Sequence, residues 1–538
     1  MKTSLLGAIA LIATPAAAQV APALTPAEAA MKAHVSFLAA DVMQGREAGT
    51  AEYEIAAHYV AAQLLAAGVE PMGTNGSFLQ SVPLVSARSV EKGSFTASSA
   101  GAAVPLTWGS DFLTSAGRAP SVALSAPVVF VGYGVVDQAG KRDDYAGLDV
   151  RGKIVAWLAG APAGLPGEVR AHYGNAATKA VEAQRRGAIG SVTLYTPTQQ
   201  TRSQFSRLVD NWQSRSMTWA AADGTPYYAA PTVPGLGTFS LQGGAKLLAG
   251  SKFDHAAIMA ADKAGTPIPR GGLLPVTLTL AQKTEIERKT SSNVIGIIRG
   301  SDPKLAAEHV VLSAHLDHVG VGTPIAGDSI YNGAMDNAVG IGSMIEVARA
   351  FAAAGTKPKR SILFVALTAE EKGLVGADYF ARNPTVPKAG LVANVNLDMP
   401  IITYRFTDLI AFGADRSQLG GIVGAAAGKL GFKLTPDATP EEALFTRSDH
   451  YRFVQQGVPA VFLKPGPSGP GAAADLAFRR DHYHRPSDEI ALPIDWTAGA
   501  NFVRVNYEIA RAIADAPERP RWNKGDFFGS LYKGFGAN

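Results

Sequence analysis

Residues 361–373 read SILFVALTAEEKG, an apolar run that ends on two adjacent glutamates, Glu370 and Glu371. Side chains alternate between the two faces of a strand, so a run that is apolar at nearly every position must bury both faces. Strands of that kind belong to parallel sheets covered on each side by helices. The same texture recurs in VVLSAH (310–315) and LVANVNLD (391–398). Between the first two strands lies AVGIGSMIEVARAFAAAG (338–355), helical in pattern, opened by Asp336-Asn337 and closed by Gly355. From NVIGIIRG (293–300) onward, strand and helix alternate. The expected fold is α/β, a doubly wound and mostly parallel sheet flanked by helices.

The N-terminal half has a different texture. Residues 31–69 hold two helical patterns separated by GREAGT, the second running from Thr50 to Ala67 and stopping at Gly68. A strand, SFLQSVPLVSA (77–87), follows. From about 120 to 280, APVVFVGYGV (126–135) and GKIVAWLAG (152–160) read as short strands between Gly-rich turns, and KAVEAQRRGAIGSVTLY (179–195) reads as a helix, a turn at Gly187 and another strand, which together predict an inserted β-rich domain. The expected organisation is a signal segment at 1–18, an α/β domain in two parts at 24–119 and 281–516, the insertion at 120–280, and a loop-like tail at 517–538.

The signal segment rests on Lys2, the apolar run from Leu5 to Ala13, and the small residues Ala16 and Ala18 before Gln19. That pattern marks export with A-x-A cleavage, and the run is too short to anchor in a bilayer. A periplasmic or secreted location is expected; a buried N-terminal helix is the alternative.

Composition narrows the chemistry. A length of 538 residues exceeds one ordinary core, and 47% apolar with 17% charged residues describes a globular chain. The net charge of +4 comes without any Lys/Arg block interleaved with aromatics, so nothing points to nucleic acid. The chain has no cysteine. Disulfides, thiolate metal sites and cysteine nucleophiles are therefore excluded, and any metal must be held by His, Asp or Glu. There is no G-x-S-x-G elbow and no phosphate-binding glycine motif.

In an open α/β sheet, functional groups collect beyond the carboxyl ends of the strands. Three strands here end in such groups: His315 and Asp317, Glu370 and Glu371, and Asp398. Asp336 precedes a helix at the same edge, and His484 lies in DHYHRPSDE after the strand-like PAVFLKPG (459–466). An isolated Glu-Glu pair would be a solvated strand end, and Asp336 alone would be a helix cap. Together they form a pattern. Imidazole with several carboxylates suits zinc, and carboxylates able to bridge suit a metal pair. His315 and Asp317 lie two apart, on one face of a strand, which predicts that Asp317 orients His315. His318 and His450 are expected to be local hydrogen-bonding or rim residues. His482 is the competitor of His484, and His34, His58, His172, His255 and His309 are expected to be ordinary, without carboxylate company.

SAHLDHVG, GAMDNAVGIG, LTAEEKGLVGA, VNLDM and YHRPSDE, in that order, resemble the signature set of the co-catalytic di-zinc aminopeptidase family. That family also includes glutamate carboxypeptidase II and glutaminyl cyclases. The stretch from GYGVVDQ to GSVTLY resembles the protease-associated domain inserted in many members. The resemblance implies a zinc exopeptidase fold and two zinc ions, with cobalt or manganese as substitutes. His315 and Asp398 would hold one ion, Glu371 and His484 the other, and Asp336 would bridge them. Glu370 would be the general base, Tyr483 an oxyanion partner, and Arg447 a substrate-terminus contact. Peptides are the implied partners, with no nucleic acid and no membrane anchor. The implied activity is removal of N-terminal residues from peptides. The alternatives are a carboxypeptidase of the glutamate carboxypeptidase type, a glutaminyl-cyclase-like acyltransferase, and a non-catalytic binding protein.

Overall fold

The computed structural model describes residues 23–137 and 139–538; the expected signal segment at 1–18 lies outside them. The α/β domain is built on seven principal strands: β1 (Leu79–Ser89), β2 (Gly272–Ile298), β3 (His309–His315), β4 (Ser361–Leu367), β5 (Leu391–Leu397), β6 (Asp408–Phe412) and β7 (Ala460–Pro465). They lie side by side in the order β1-β2-β4-β3-β5-β7-β6. The central four, β4, β3, β5 and β7, are mutually parallel; β2 and β6 beside them run antiparallel, and β1, antiparallel to β2, runs in the direction of the central four.

The run SILFVAL behaves as the period of a strand requires. Ile362, Phe364 and Ala366 face the core built with helices Pro26–Leu38, Ala51–Ala66, Val339–Ala353 and Trp496–Asp515. Leu363, Val365 and Leu367 face the opposite core, with Phe380 and Phe453. All six are completely buried, and each Leu, Ile, Val or Phe buried this way contributes roughly 1.5–3 kcal/mol. The expected doubly wound sheet is therefore present. Because β3 pairs with β4 on one side and β5 on the other, the chain reverses its direction of winding at β3, where crevices form at the carboxyl edge.

The helix expected over 338–355 spans Val339–Ala353, and Gly355 takes a positive φ of 67° just beyond it. Asp336 makes no capping hydrogen bond. Asn337 does the capping, since its side-chain oxygen accepts from the Gly340 and Met399 amides.

The inserted unit has its own sheet, but it begins earlier than residue 120. Ser94–Ser99 pairs with 277–281, and Phe112–Thr114 pairs with 237–239, inside that sheet. Strand β2 explains the displacement. Its 27 residues run through both sheets, with its first half paired to Ser121–Phe130 and its second half to β1 and β4. One segment inside the interval, Ser216–Trp219, returns to β1 of the α/β sheet. The helix expected from residue 179 is present as Ala176–Arg185, and the unit carries further helices, including Gly167–Gly174 and His255–Ala264.

The tail, expected to be loop-like, folds back as structure. Phe527–Leu531 is a helical turn, Trp522 and Phe528 are buried, and Trp522 Nε1 donates to the Gly457 carbonyl at 2.9 Å. Arg416 joins three regions by pairing with Glu168 of the inserted unit and with Asp526 of the tail at 3.0 Å. His172, from the same inserted helix as Glu168, hydrogen-bonds Tyr451 Oη at 2.9 Å. His34 has the carboxylate partner that the sequence did not reveal, Glu346 at 3.0 Å.

Burial pushes the His172 imidazole down to about 4. An ordinary histidine titrates near 6.5, so below that pH the unfolded chain takes up a proton that the folded chain refuses. Stability is thus full above 6.5 and is lost as pH falls toward 4, by up to about 3 kcal/mol for this one group. Thermal unfolding followed from pH 7.5 to 4.5 should fall less steeply in His172→Gln than in wild type.

Candidate active site

The carboxyl edge of the parallel strands carries the side chains in question. His315 is the last residue of β3, Glu370 and Glu371 follow β4, Asp398 follows β5, and Asp336 sits immediately before helix Val339–Ala353. His484 arrives from the loop after helix Gly471–Asp481, with a positive φ of 52°.

Asp336 lies at the centre. Its Oδ1 is 3.1 Å from His315 Nε2, and its Oδ2 is 3.3 Å from His484 Nε2. Each imidazole then faces a second carboxylate: Asp398 Oδ1 at 3.1 Å from His315, and Glu371 Oε2 at 3.1 Å from His484. The result is two His–carboxylate pairs sharing one carboxylate, one oxygen each. His315, Asp336 and Asp398 present ligand atoms within 4.8 Å of one another, as do His318, Asp336 and Glu371. His318 is the unexpected member. It is fully buried, not on the rim, and its Nδ1 lies 2.8 Å from Glu371 Oε1 without hydrogen-bond alignment. Glu371 therefore faces one histidine with each oxygen. His484 also comes within ion-pair distance of Asp336, at 3.3 Å, which reproduces the arrangement at His315.

The electrostatics follow from burial and these contacts. Burial opposes the charge on Asp336, yet hydrogen bonds from His315 and His484 hold its carboxyl well below the usual range. Burial likewise opposes the charge on Glu371, but His318 and His484 bring it down to about 2. For His484, burial is outweighed by Asp336 and Glu371, which raise it to about 10. Glu370 is the exception. Burial drives its carboxyl well above the ordinary value, with Glu371, Asp398 and Asp449 adding repulsion against the pull of His315. Adjacent on the chain, Glu370 and Glu371 thus occupy opposite electrostatic settings.

Asp317 acts otherwise than expected. The His315 Nδ1 contact is with the Asp317 backbone carbonyl, at 3.1 Å. Its carboxylate turns instead to the Glu370 and Glu371 amides, at 3.0 and 3.3 Å. The side chain orients the Glu-Glu turn, and the main chain orients the histidine. Asp488, of PSDE, performs the same service for the central carboxylate by accepting from the Met335 and Asp336 amides at 2.9 and 3.0 Å. Arg46, of GREAGT, is buried and donates to the carbonyls of Leu316, Asn332 and Gly333, so one guanidinium ties together the loops that carry Asp317 and Asp336. Ser448 donates to Asp398, and Asn396 donates to Ser448.

Sequence reasoning missed His318, Ser448, Asp449, Asp488 and this use of Arg46. Asp449 is fully buried with neither carboxyl oxygen hydrogen-bonded. The available signals were short: a second histidine in HLDH, RSDH ahead of the strand-like PAVFLKPG, and PSDE after the last histidine. His482 is separated from the cluster and contacts Ser487 Oγ at 3.0 Å. His450 is buried between Phe445 and Phe462, not at the rim.

A cavity of about 80 Å³ opens onto the cluster, walled by Met399, Leu444, Phe462 and Tyr483 and edged by Arg447. The Tyr483 ring stacks on His484, with centroids 3.9 Å apart. Burial, then Asp336 and Glu371, keep its phenol protonated far into the alkaline range, so it is a hydrogen-bond donor.

A parallel α/β sheet bearing paired imidazole–carboxylate sites at its carboxyl edge defines a fold and site suited to metal-assisted hydrolysis. Residues 293–510 match the model of Peptidase family M28. The chain is 30% identical over 199 residues to a probable leucine aminopeptidase 2 of Aspergillus fumigatus, covering 36% of each protein. It is 27% identical over 276 residues to leucine aminopeptidase 2 of Trichophyton rubrum, covering 47% of this chain and 52% of the other. The chain spans well under two thirds of the length of these curated relatives. An aminopeptidase from Aneurinibacillus sp. strain AM-1 shares the fold, with a TM-score of 0.50 at 19% identity over 91% of this chain and 95% of that one.

Proposed function

We propose that the protein is a zinc-dependent exopeptidase that removes N-terminal residues from peptides. The observation that carries this is Asp336, whose two oxygens each address a different histidine–carboxylate pair while Glu370 stands beside them uncommitted. The donor set fits divalent zinc: ligand atoms of His315, Asp336 and Asp398 converge, as do those of His318, Asp336 and Glu371, and His484 Nε2 faces Asp336 and Glu371 at 3.3 and 3.1 Å. His315 and Asp398 would hold one ion, His484 and Glu371 a second, and Asp336 would serve both. Zinc held there supplies Lewis acidity, polarising the scissile carbonyl and lowering the pKa of water toward neutrality.

The chain's own groups perform the proton chemistry. Glu370 takes a proton from the attacking water as the new C–O bond forms, then delivers it to the leaving amine nitrogen as the C–N bond breaks. The Tyr483 phenol donates to the oxyanion of the tetrahedral species. Asp317 holds the Glu370 amide, so the base cannot drift from the attacking water without losing that hydrogen bond. The similarity to the two fungal leucine aminopeptidases supports the aminopeptidase direction.

A panel of leucine p-nitroanilide, a free tripeptide and their N-acetylated counterparts, assayed with zinc, cobalt and manganese, tests the proposal. Hydrolysis is expected only with a free amino terminus and should vanish on chelation. Equal rates on the N-acetylated substrates would exclude an aminopeptidase.

A further inference from the structure

A second, larger cavity of about 460 Å³ lies between the inserted unit and the α/β domain, within the roughly 300–1,000 Å³ of ordinary ligand sites. It shares Arg447 and Glu442 with the cavity over the metal-type cluster, so the two are neighbours along one path. Its walls carry the half-buried Arg170 and the exposed Arg202 from the inserted unit, together with the exposed Arg447 from the α/β domain. Among the described residues, none of these three arginines has a carboxylate partner. By contrast, nearby Arg479 pairs with both Glu442 and Asp475, and Arg416 with Glu168 and Asp526. The other lining acids are Asp262, which accepts from Tyr133 Oη and the Thr198 amide, and the exposed Glu441.

Guanidinium groups left unpaired in a cleft suit a carboxylate, which they can grip through two parallel hydrogen bonds. The walls of the cleft are also fixed relative to each other. Arg170 lies on helix Gly167–Gly174, the helix that His172 ties to Tyr451. At Gly167 the two walls touch: a Cβ there would sit 2.3 Å from the Pro440 carbonyl oxygen.

We propose that this cleft binds the C-terminal carboxylate of short peptides, so that the enzyme acts on free oligopeptides of a few residues in preference to the ends of long chains. The inserted unit is then a selector of substrate length and terminus, acting through Arg170 and Arg202. The proposal rests on the aminopeptidase reading above.

The test compares kcat/KM for Leu-Gly-Gly with that for Leu-Gly-Gly-amide, in wild type and in the Arg170→Ala/Arg202→Ala and Arg170→Gln/Arg202→Gln proteins. Wild type should favour the free acid by about tenfold or more, the scale of a charge-assisted contact. In the double variants that ratio should fall to within about twofold. A wild-type ratio near one overturns the proposal without needing any variant, and so does a ratio that survives both substitutions. Leucine p-nitroanilide separates the two levels. Wild type that cleaves it yet shows no acid preference rejects the arginine cleft alone. Failure on every free-amine substrate removes the aminopeptidase reading, and this proposal with it.

Discussion

Glu370→Gln is expected to lower kcat on leucine p-nitroanilide by about 10²–10⁴-fold, the range attributable to a positioned general acid–base group, while bound zinc stays at the wild-type level. The side chain is half-buried beside the cluster, lines the cavity, and among the described residues forms no ion pair with His315 or His484, so its loss removes no donor from the two imidazole–carboxylate pairs. Glutamine preserves its volume and leaves the hydrogen bond from the residue 370 amide to Asp317 in place, because that bond uses the main chain. Metal content by elemental analysis and turnover on the same preparation separate the two quantities. Near wild-type turnover with full metal would exclude Glu370 as the proton carrier. Loss of metal together with activity would mean that it is a ligand.

Asp336→Ala should have the opposite signature, with metal and activity lost together. Among the described residues, its two oxygens are the only groups shared by the His315 and His484 pairs, so one substitution strips a donor from both. Removing even an outer-shell partner costs roughly 10–100-fold in metal affinity, and loss of a shared direct donor should exceed that. The protein should also respond in stability, since His315 is completely buried and would lose one of its two carboxylate partners. Zinc titration monitored by calorimetry, alongside thermal unfolding, reads both effects. Unchanged zinc stoichiometry and affinity in this variant would rule out the bridging role.

The sheet was legible because burial on both faces writes itself directly into composition. SILFVAL could be nothing but a two-sided strand, and its neighbours shared the texture. The acids and histidines were legible for a related reason: a carboxylate at the end of so apolar a run has no ordinary place to go. Domain limits were harder to read, because one 27-residue strand serves two sheets and no composition shift marks where it crosses. The tail looked irregular since its anchors, Trp522 and Phe528, pack against residues far away in the chain and follow no local period.

Sequence alone determined the α/β class, the edge at which the chemistry collects and the residue types available there, since strand period and the absence of cysteine are local properties. Only the tertiary structure decided which atom faces which. It turned the Asp317 carboxylate away from His315 and toward the Glu370–Glu371 amides, brought His318 against Glu371, and set Asp488 and Arg46 behind Asp336. It also placed Arg170 and Arg202, which lie more than a hundred residues before the nearest strand-end acid, on the cleft beside the site. Such contacts join loops distant in sequence, and side-chain direction within a loop obeys no period that a sequence can display.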